Sequence, residues 1–168
     1  MQFIDVLNKR VSNRKLKSTP LNDEQINALL YAAKRAPIAR GKYDLYKLVV
    51  ITDNKFIDFK NEVIKIHKID PFFGAGTVIF VISKILEKLD LAYQDCGCLI
   101  ENMHLEATNI GLGSVYLYGC VKEINSNSQL KNMLNCSDNE IILGALTVGL
   151  PLVKANAKEH QIKTEIIK

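Results

Sequence analysis

The sequence predicts an α+β fold, a layered sheet carrying helices on both faces, and three observations predict it. Segments with helical spacing alternate with short runs of β-formers, in the order two helices, strand, helix, strand, long helix, strand, helix, strand. The run Val78-Ile79-Phe80-Val81-Ile82 has no polar alternation, as expected of a strand buried on both faces. The stretch from Asp90 to about Ile110 is apolar around most of its circumference, which places it at the centre of the core or at a subunit interface. Nothing requires the strands to be all parallel.

Each element follows from local signals. Residues 1–10, with Phe3, Ile4, Val6 and Leu7, form a short amphipathic helix opening near Asp5. After Ser18-Thr19-Pro20-Leu21, Asn22 caps a second helix, with Asp23 and Glu24 in its first turn, that runs to about Arg35. Pro37 disfavours αR backbone at Ala36 and ends it. A strand near 46–52 carries Leu48-Val49-Val50-Ile51-Thr52. Asp53-Asn54 mark a turn or cap, and the helix beyond is expected to turn Phe56, Phe59, Val63 and Ile66 inward.

A loop rich in Phe and Gly, Pro71 to Gly76, introduces the Val78–Ile82 strand, and a polar stretch follows from Ser83 to Lys88. In the long helix Ala92, Cys96, Leu99, Met103, Ala107 and Ile110 recur at three- and four-residue steps, and Leu91, Cys98, Ile100 and Leu105 widen the stripe. His104 lies within it with no partner at ligand spacing and is read as structural. Gly111-Leu112-Gly113 stops the helix, and Ser114 to Tyr118 is a short strand. A helix over Asn127–Leu134 precedes a last strand over Ile141–Val148, which Gly149-Leu150-Pro151 terminates. The tail, 152–168, is polar and basic with a small apolar end (Ile162, Ile166, Ile167). It cannot bury much alone and is expected to pack on another surface.

Bulk composition narrows the function. The 168 residues suit one domain with a real core, 48% apolar and 24% charged. A net charge of +4 suits an anionic small ligand, and no aromatic-studded basic stripe points to nucleic acid. The longest apolar runs, Thr77 to Ile82 and Ile141 to Pro151, are too short to cross a bilayer, and a cytoplasmic protein is expected. Cys96 and Cys98, the only close pair of the four cysteines, point to different sides of a helix, so buried free thiols are expected rather than a zinc site.

Two basic clusters are candidate binding elements. Arg10, Ser12 and Arg14 alternate within Lys9–Lys15, and on extended backbone alternate residues face one way, so two guanidinium groups and a hydroxyl are able to meet one phosphate. Between the second helix and the first strand lie Arg40, Gly41, Lys42 and Tyr43. These are two cations, a glycine that lets backbone approach a ligand, and an aromatic ring. Such a loop suits a flat anion, and it reads equally as a basic surface connection.

The pieces in this order resemble the FMN-dependent nitroreductase superfamily. Arg10-Val11-Ser12-Asn13-Arg14 is similar to the family's opening Arg-Arg-Ser-x-Arg. Pro20-Leu21, Gln25-Ile26 and Ala32-Ala33-Lys34-Arg35-Ala36-Pro37 answer its next helix, and Asp95-Cys96-Gly97, Glu101-Asn102, Leu105, Ala107 and Gly111-Leu112-Gly113-Ser114 its long one. Leu146 to Pro151 matches the closing strand and Gly-x-Pro. The resemblance implies a three-layer α-β-α fold with a central, mostly antiparallel sheet. It also implies a homodimer with FMN at the subunit interface and NAD(P)H as co-substrate.

Carried over, Arg10, Ser12 and Arg14, within the segment that includes Val11, would hold the phosphate and ribityl chain, with Lys158 as the carboxy-terminal basic residue. Ile38, Ala39, Arg40, Gly41, Lys42 and Tyr43 would line the pyrimidine side of the ring, and backbone at Tyr118 and Gly119 would face N5. Two departures stand out. Val11 replaces the family's second arginine, and Ile38 to Leu45 replaces a loop carrying side-chain amides. The new loop is nearer that of the branch that oxidises azolines in peptides, with Arg40 or Lys42 placed to reach the N1/O2 region. The expected activity is electron transfer from NAD(P)H through FMN to a small acceptor by ping-pong. An azoline-type flavin dehydrogenase and a non-catalytic flavin- or nucleotide-binding protein of the same fold are the alternatives.

Overall fold

The computed structural model describes residues 1–85 and 89–168. Among the described residues ten α-helices and β-strands follow one another: α1 (Phe3–Lys9), α2 (Asp23–Ala33), β1 (Tyr46–Thr52), α3 (Asp53–His67), β2 (Thr77–Lys84), α4 (Leu89–Asn109), β3 (Gly113–Leu117), α5 (Val121–Asn125), α6 (Ser128–Met133) and β4 (Glu140–Gly149), with two 3-10 turns, Ala39–Gly41 and Tyr43–Leu45, between α2 and β1. The sheet order is β1-β2-β4-β3, and every neighbouring pair is antiparallel. In the register Val49 lies opposite Phe80, and Phe80 opposite Ala145.

Strand β2 is at the centre and shows why the run 78–82 lacks polar residues. Ile79 and Val81 face a cluster built with Leu29 and Ala33 of α2 and Cys96, Ile100 and Met103 of α4. Val78, Phe80 and Ile82 face the other way, toward Phe56, Phe59 and Val63 of α3 and Ile124 and Leu130 of α5 and α6. Period-two alternation serves two apolar layers here, so both faces are apolar. Phe72 closes the second layer edge-on against Phe56, ring centroids 5.2 Å apart.

The element ends obey local chemistry. Asn22 and Gln25 form a reciprocal capping box at the start of α2. Asn127 caps α6 by accepting the Leu130 N–H. Gly111, at φ 81°, turns the chain out of α4.

Three expectations are corrected. Ile66 is 42% exposed: the helix ends one residue later, and Phe72, not Ile66, packs on Phe56 and Phe59. The stretch after the second strand is not a polar connection from Ser83, because buried Ser83 and exposed Lys84 continue β2, and its remainder at 86–88 lies outside the described residues. Helix α5 was not expected at all. The tail beyond Pro151 has no regular structure, and Ile162, Ile166 and Ile167 are exposed. Among the described residues no helix is long and apolar enough to cross a membrane.

Candidate functional site

The amino-terminal basic segment is laid against β3. Ser12 makes a parallel bridge to Ser114, the Asn13 N–H donates to the Ser114 carbonyl at 3.0 Å, and Leu16 bridges Pro151. The close approach needs Gly113, where a Cβ would lie 2.8 Å from Leu16 Cδ2 and 3.0 Å from Asn13 Cβ. Buried Asn13 fastens the segment from within, donating to the Val153 carbonyl and accepting the Lys15 N–H.

Arg10 emerges from the end of α1 and reaches α4. Its Nη1 is 3.1 Å from His104 Nε2, and its Nε is 3.9 Å from Glu101. His104 Nδ1 is in turn 3.2 Å from Ser114 Oγ. A guanidinium can only donate, so Nε2 accepts and the imidazole proton resides on Nδ1. Burial holds His104 down at about 4, and the Arg10 charge pushes the same way. Glu101 is raised from its ordinary value by burial, against the pull of Arg10.

From Ser114, β3 runs on to Leu117, and Tyr118 follows it, four residues or about 13 Å from Ser114 at strand rise. Tyr118 is exposed, and a Cβ at Gly119 would meet nothing within 4 Å.

The second cluster is built on the other flank. Ile38 is buried in the core, so its side chain is committed to packing. The next residue, Ala39, donates its N–H to Asp95 Oδ1 at 3.0 Å, and the Tyr46 hydroxyl donates to Asp95 Oδ2 at 2.7 Å. Arg40 and Gly41 are both left-handed, at φ 56° and 64°, and the Tyr43 hydroxyl closes the loop on the Ala36 carbonyl. Arg40, Gly41, Lys42 and Tyr43 are exposed.

Two independent features place the clusters apart in one chain. Asp95 and His104 are nine residues apart on α4, about 13 Å along the axis and roughly half a turn around it. Strands β1, which the loop enters, and β3 are opposite sheet edges, three spacings or about 14 Å apart.

The other candidate residues lie elsewhere. Arg14 does not share the surroundings of Arg10, because its guanidinium carbon sits 6.0 Å from the Phe73 ring centroid. Val11 lines a cleft of about 510 Å3 with Lys9, Asn13, Gly113 and tail residues from Lys154 to Ala157. Lys158 is exposed in the tail.

Asp95, Asn13, His104 and Ser114 are functional supports that the sequence does not single out as site residues. The available signal was a buried acid and a buried imidazole on an otherwise apolar helix face. Burial pushes the Cys96 and Cys120 thiols up to about 12, and a hydrogen bond to Tyr116 only partly offsets this at Cys96.

A long helix packs over an antiparallel sheet, with a basic segment tied to one sheet edge and a cationic turn at the other. The chain belongs to the Nitroreductase family, whose model matches residues 7–150.

It is 26% identical over 151 residues to an Archaeoglobus fulgidus protein named "Putative NADH dehydrogenase/NAD(P)H nitroreductase", covering 89% of this chain and 86% of that protein. Among solved structures, a Bacteroides fragilis nitroreductase with bound FMN superposes with TM-score 0.81 at 20% identity, covering 100% of this chain and 98% of the other. A Desulfitobacterium hafniense nitroreductase with bound FMN gives TM-score 0.83 at 18% identity, covering 100% and 99%. These structural likenesses establish the α-β-α fold.

Proposed function

We propose that the chain is an FMN-dependent oxidoreductase that takes hydride from NAD(P)H and passes electrons by ping-pong to a small acceptor such as a nitroaromatic, a quinone, a flavin or oxygen. The observation that carries this reading is the divided placement of the two basic clusters. Within one chain Arg10 and Ser12 sit beside Ser114, near the start of β3, and the Ile38–Tyr43 loop stands on the far flank of α4. One flat anion is held by both sets only when a second copy supplies the loop, so the functional unit is a homodimer. Phe3, Ile4 and Leu7, exposed on α1, suit such a contact.

The residues present fit FMN. Arg10 and Ser12 bind the phosphate and ribityl chain. Open backbone at Gly119 admits the ring edge, with Tyr118 beside it. Ala39, Gly41 and Tyr43 line the pyrimidine side, and Arg40 or Lys42 offsets negative charge at N1/O2. FMN, when bound, supplies the hydride-accepting and electron-passing chemistry. The protein supplies orientation, charge and an open face.

The Archaeoglobus fulgidus relative and the FMN-bound neighbours support this assignment. An absorbance spectrum from 300 to 550 nm tests it. The purified protein should be yellow or take up FMN, and should bleach with anaerobic NADH or NADPH. A colourless protein that takes up no FMN would overturn it.

A further inference from the structure

We propose that His104 is a positioning residue for Arg10: without touching the ligand, it aims the guanidinium and thereby sets how strongly the chain prefers a phosphorylated flavin to the same flavin without phosphate. This rests on the assignment of Arg10 to the phosphate given above.

The geometry is a relay of three side chains from three elements. Ser114 of β3 holds His104 Nδ1 at 3.2 Å, and His104 Nε2 holds Arg10 Nη1 at 3.1 Å. Ser114 itself is pinned by the bridge from Ser12 and by the Asn13 N–H on its carbonyl. The imidazole is 2% exposed, so it is a fixed post rather than a mobile surface group.

An apolar side chain would fill that helix position without needing partners. A buried imidazole needs both its nitrogens satisfied, and the partners it has are Arg10 and Ser114. Arg10 is one-third exposed, at 33%. With Nη1 tied inward, the rest of its fork is left for an anion. Glu101, at 3.9 Å, pulls the same side chain toward the half-exposed outer side of α4, and the shorter bond to His104 opposes that drift. Arg14 instead sits with its guanidinium carbon 6.0 Å from the Phe73 ring centroid. Arg10 is thus ordered before a ligand arrives, and the ordering cost is not charged against binding.

The test compares FMN with riboflavin, titrated into the full-length apoprotein and followed by flavin fluorescence. His104→Leu keeps the bulk and removes both bonds, and His104→Gln keeps an acceptor for Arg10 and a donor for Ser114. The expected result is that H104L binds FMN roughly three- to tenfold more weakly with riboflavin unchanged, and that H104Q recovers most of the loss. Equal weakening of both flavins would mean a merely structural role, and no change in either would mean none. Both outcomes overturn the proposal. Should H104L fail to fold, Ser114→Ala must give a smaller loss confined to FMN, and its failure to do so overturns the proposal as well. Arg10→Met separates the two levels: if it does not weaken FMN relative to riboflavin, the phosphate assignment of Arg10 is wrong whatever His104 does. Nitrogen-15 spectra of the imidazole in the apoprotein should show the Nδ1–H tautomer, and an Nε2–H tautomer would contradict the relay.

Discussion

The Asp95 carboxylate accepts the backbone N–H of Ala39 at 3.0 Å, so the loop after α2 is docked on the long helix by a single buried acid. Its second oxygen accepts the Tyr46 hydroxyl at 2.7 Å and fixes the start of β1 as well. Asp95→Ala strands both donors and should cost about 3 kcal/mol in urea unfolding. Asp95→Asn keeps an oxygen for one of them and should cost roughly 1 kcal/mol. The first variant should also weaken FMN binding, because Ala39 to Lys42 lose their mooring. Flavin titration beside the unfolding curve checks both effects.

The surface of α1 predicts oligomeric state. Only Val6 of this helix is buried, and Phe3, Ile4 and Leu7 are exposed. The wild-type chain should sediment at twice 18.9 kDa. Phe3→Asp with Leu7→Asp should yield a folded monomer by circular dichroism that retains no flavin. A monomer that binds FMN with unaltered affinity would refute the shared site.

Two glycines should behave in opposite ways. A Cβ at Gly76 would lie 2.3 Å from the Ser18 carbonyl oxygen, a backbone atom that cannot move aside cheaply. Gly76→Ala should therefore cost at least about 3 kcal/mol or prevent folding. Gly119 faces open space, so Gly119→Ala should leave stability within about 0.5 kcal/mol. Its effect should fall on FMN affinity, because the methyl occupies room kept for the ring. Thermal melts without and with FMN separate the two effects.

The parts of the fold legible in the sequence are those fixed by short-range rules. The Asn22–Gln25 capping box, the all-apolar run of β2 and the glycine stop at Gly111 can be read within a few residues. Helix α5 spans only Val121–Asn125, too short for a 3.6-residue period to register. Ile66 has the right spacing to face inward, yet it lies in the last turn of α3 and is exposed, the Phe56 and Phe59 rings being covered by Phe72 from the loop beyond.

In the site, the basic clusters were visible as composition, but their supports were not. Asp95 lies 56 residues from Ala39 and 49 from Tyr46, and His104 lies 94 from Arg10. No local pattern links such pairs. The separation of the clusters across α4 likewise appears only once sheet order and helix phase are known.

The last prediction concerns pH. His104 is neutral in the fold, its value lowered from 6.5 to about 4 by burial and then by Arg10. The unfolded chain binds the proton first, so stability from this group is full above pH 6.5 and falls as pH drops from there toward 4. The whole shift corresponds to roughly 3 kcal/mol, of which about 2 should be lost by pH 5. The side chains that face the imidazole are Arg10 and Ser114.

Glu101 acts in the opposite sense. Burial raises it, so its protonation near and just above the ordinary carboxylate range favours the fold and offsets part of the loss. The wild-type unfolding free energy should therefore decline between pH 6.5 and 5, and the slope should shrink in H104L, which has no proton to bind at that position. Urea titrations of both proteins at pH 7, 6 and 5 check this. Parallel curves would show that the buried imidazole is not the group responsible.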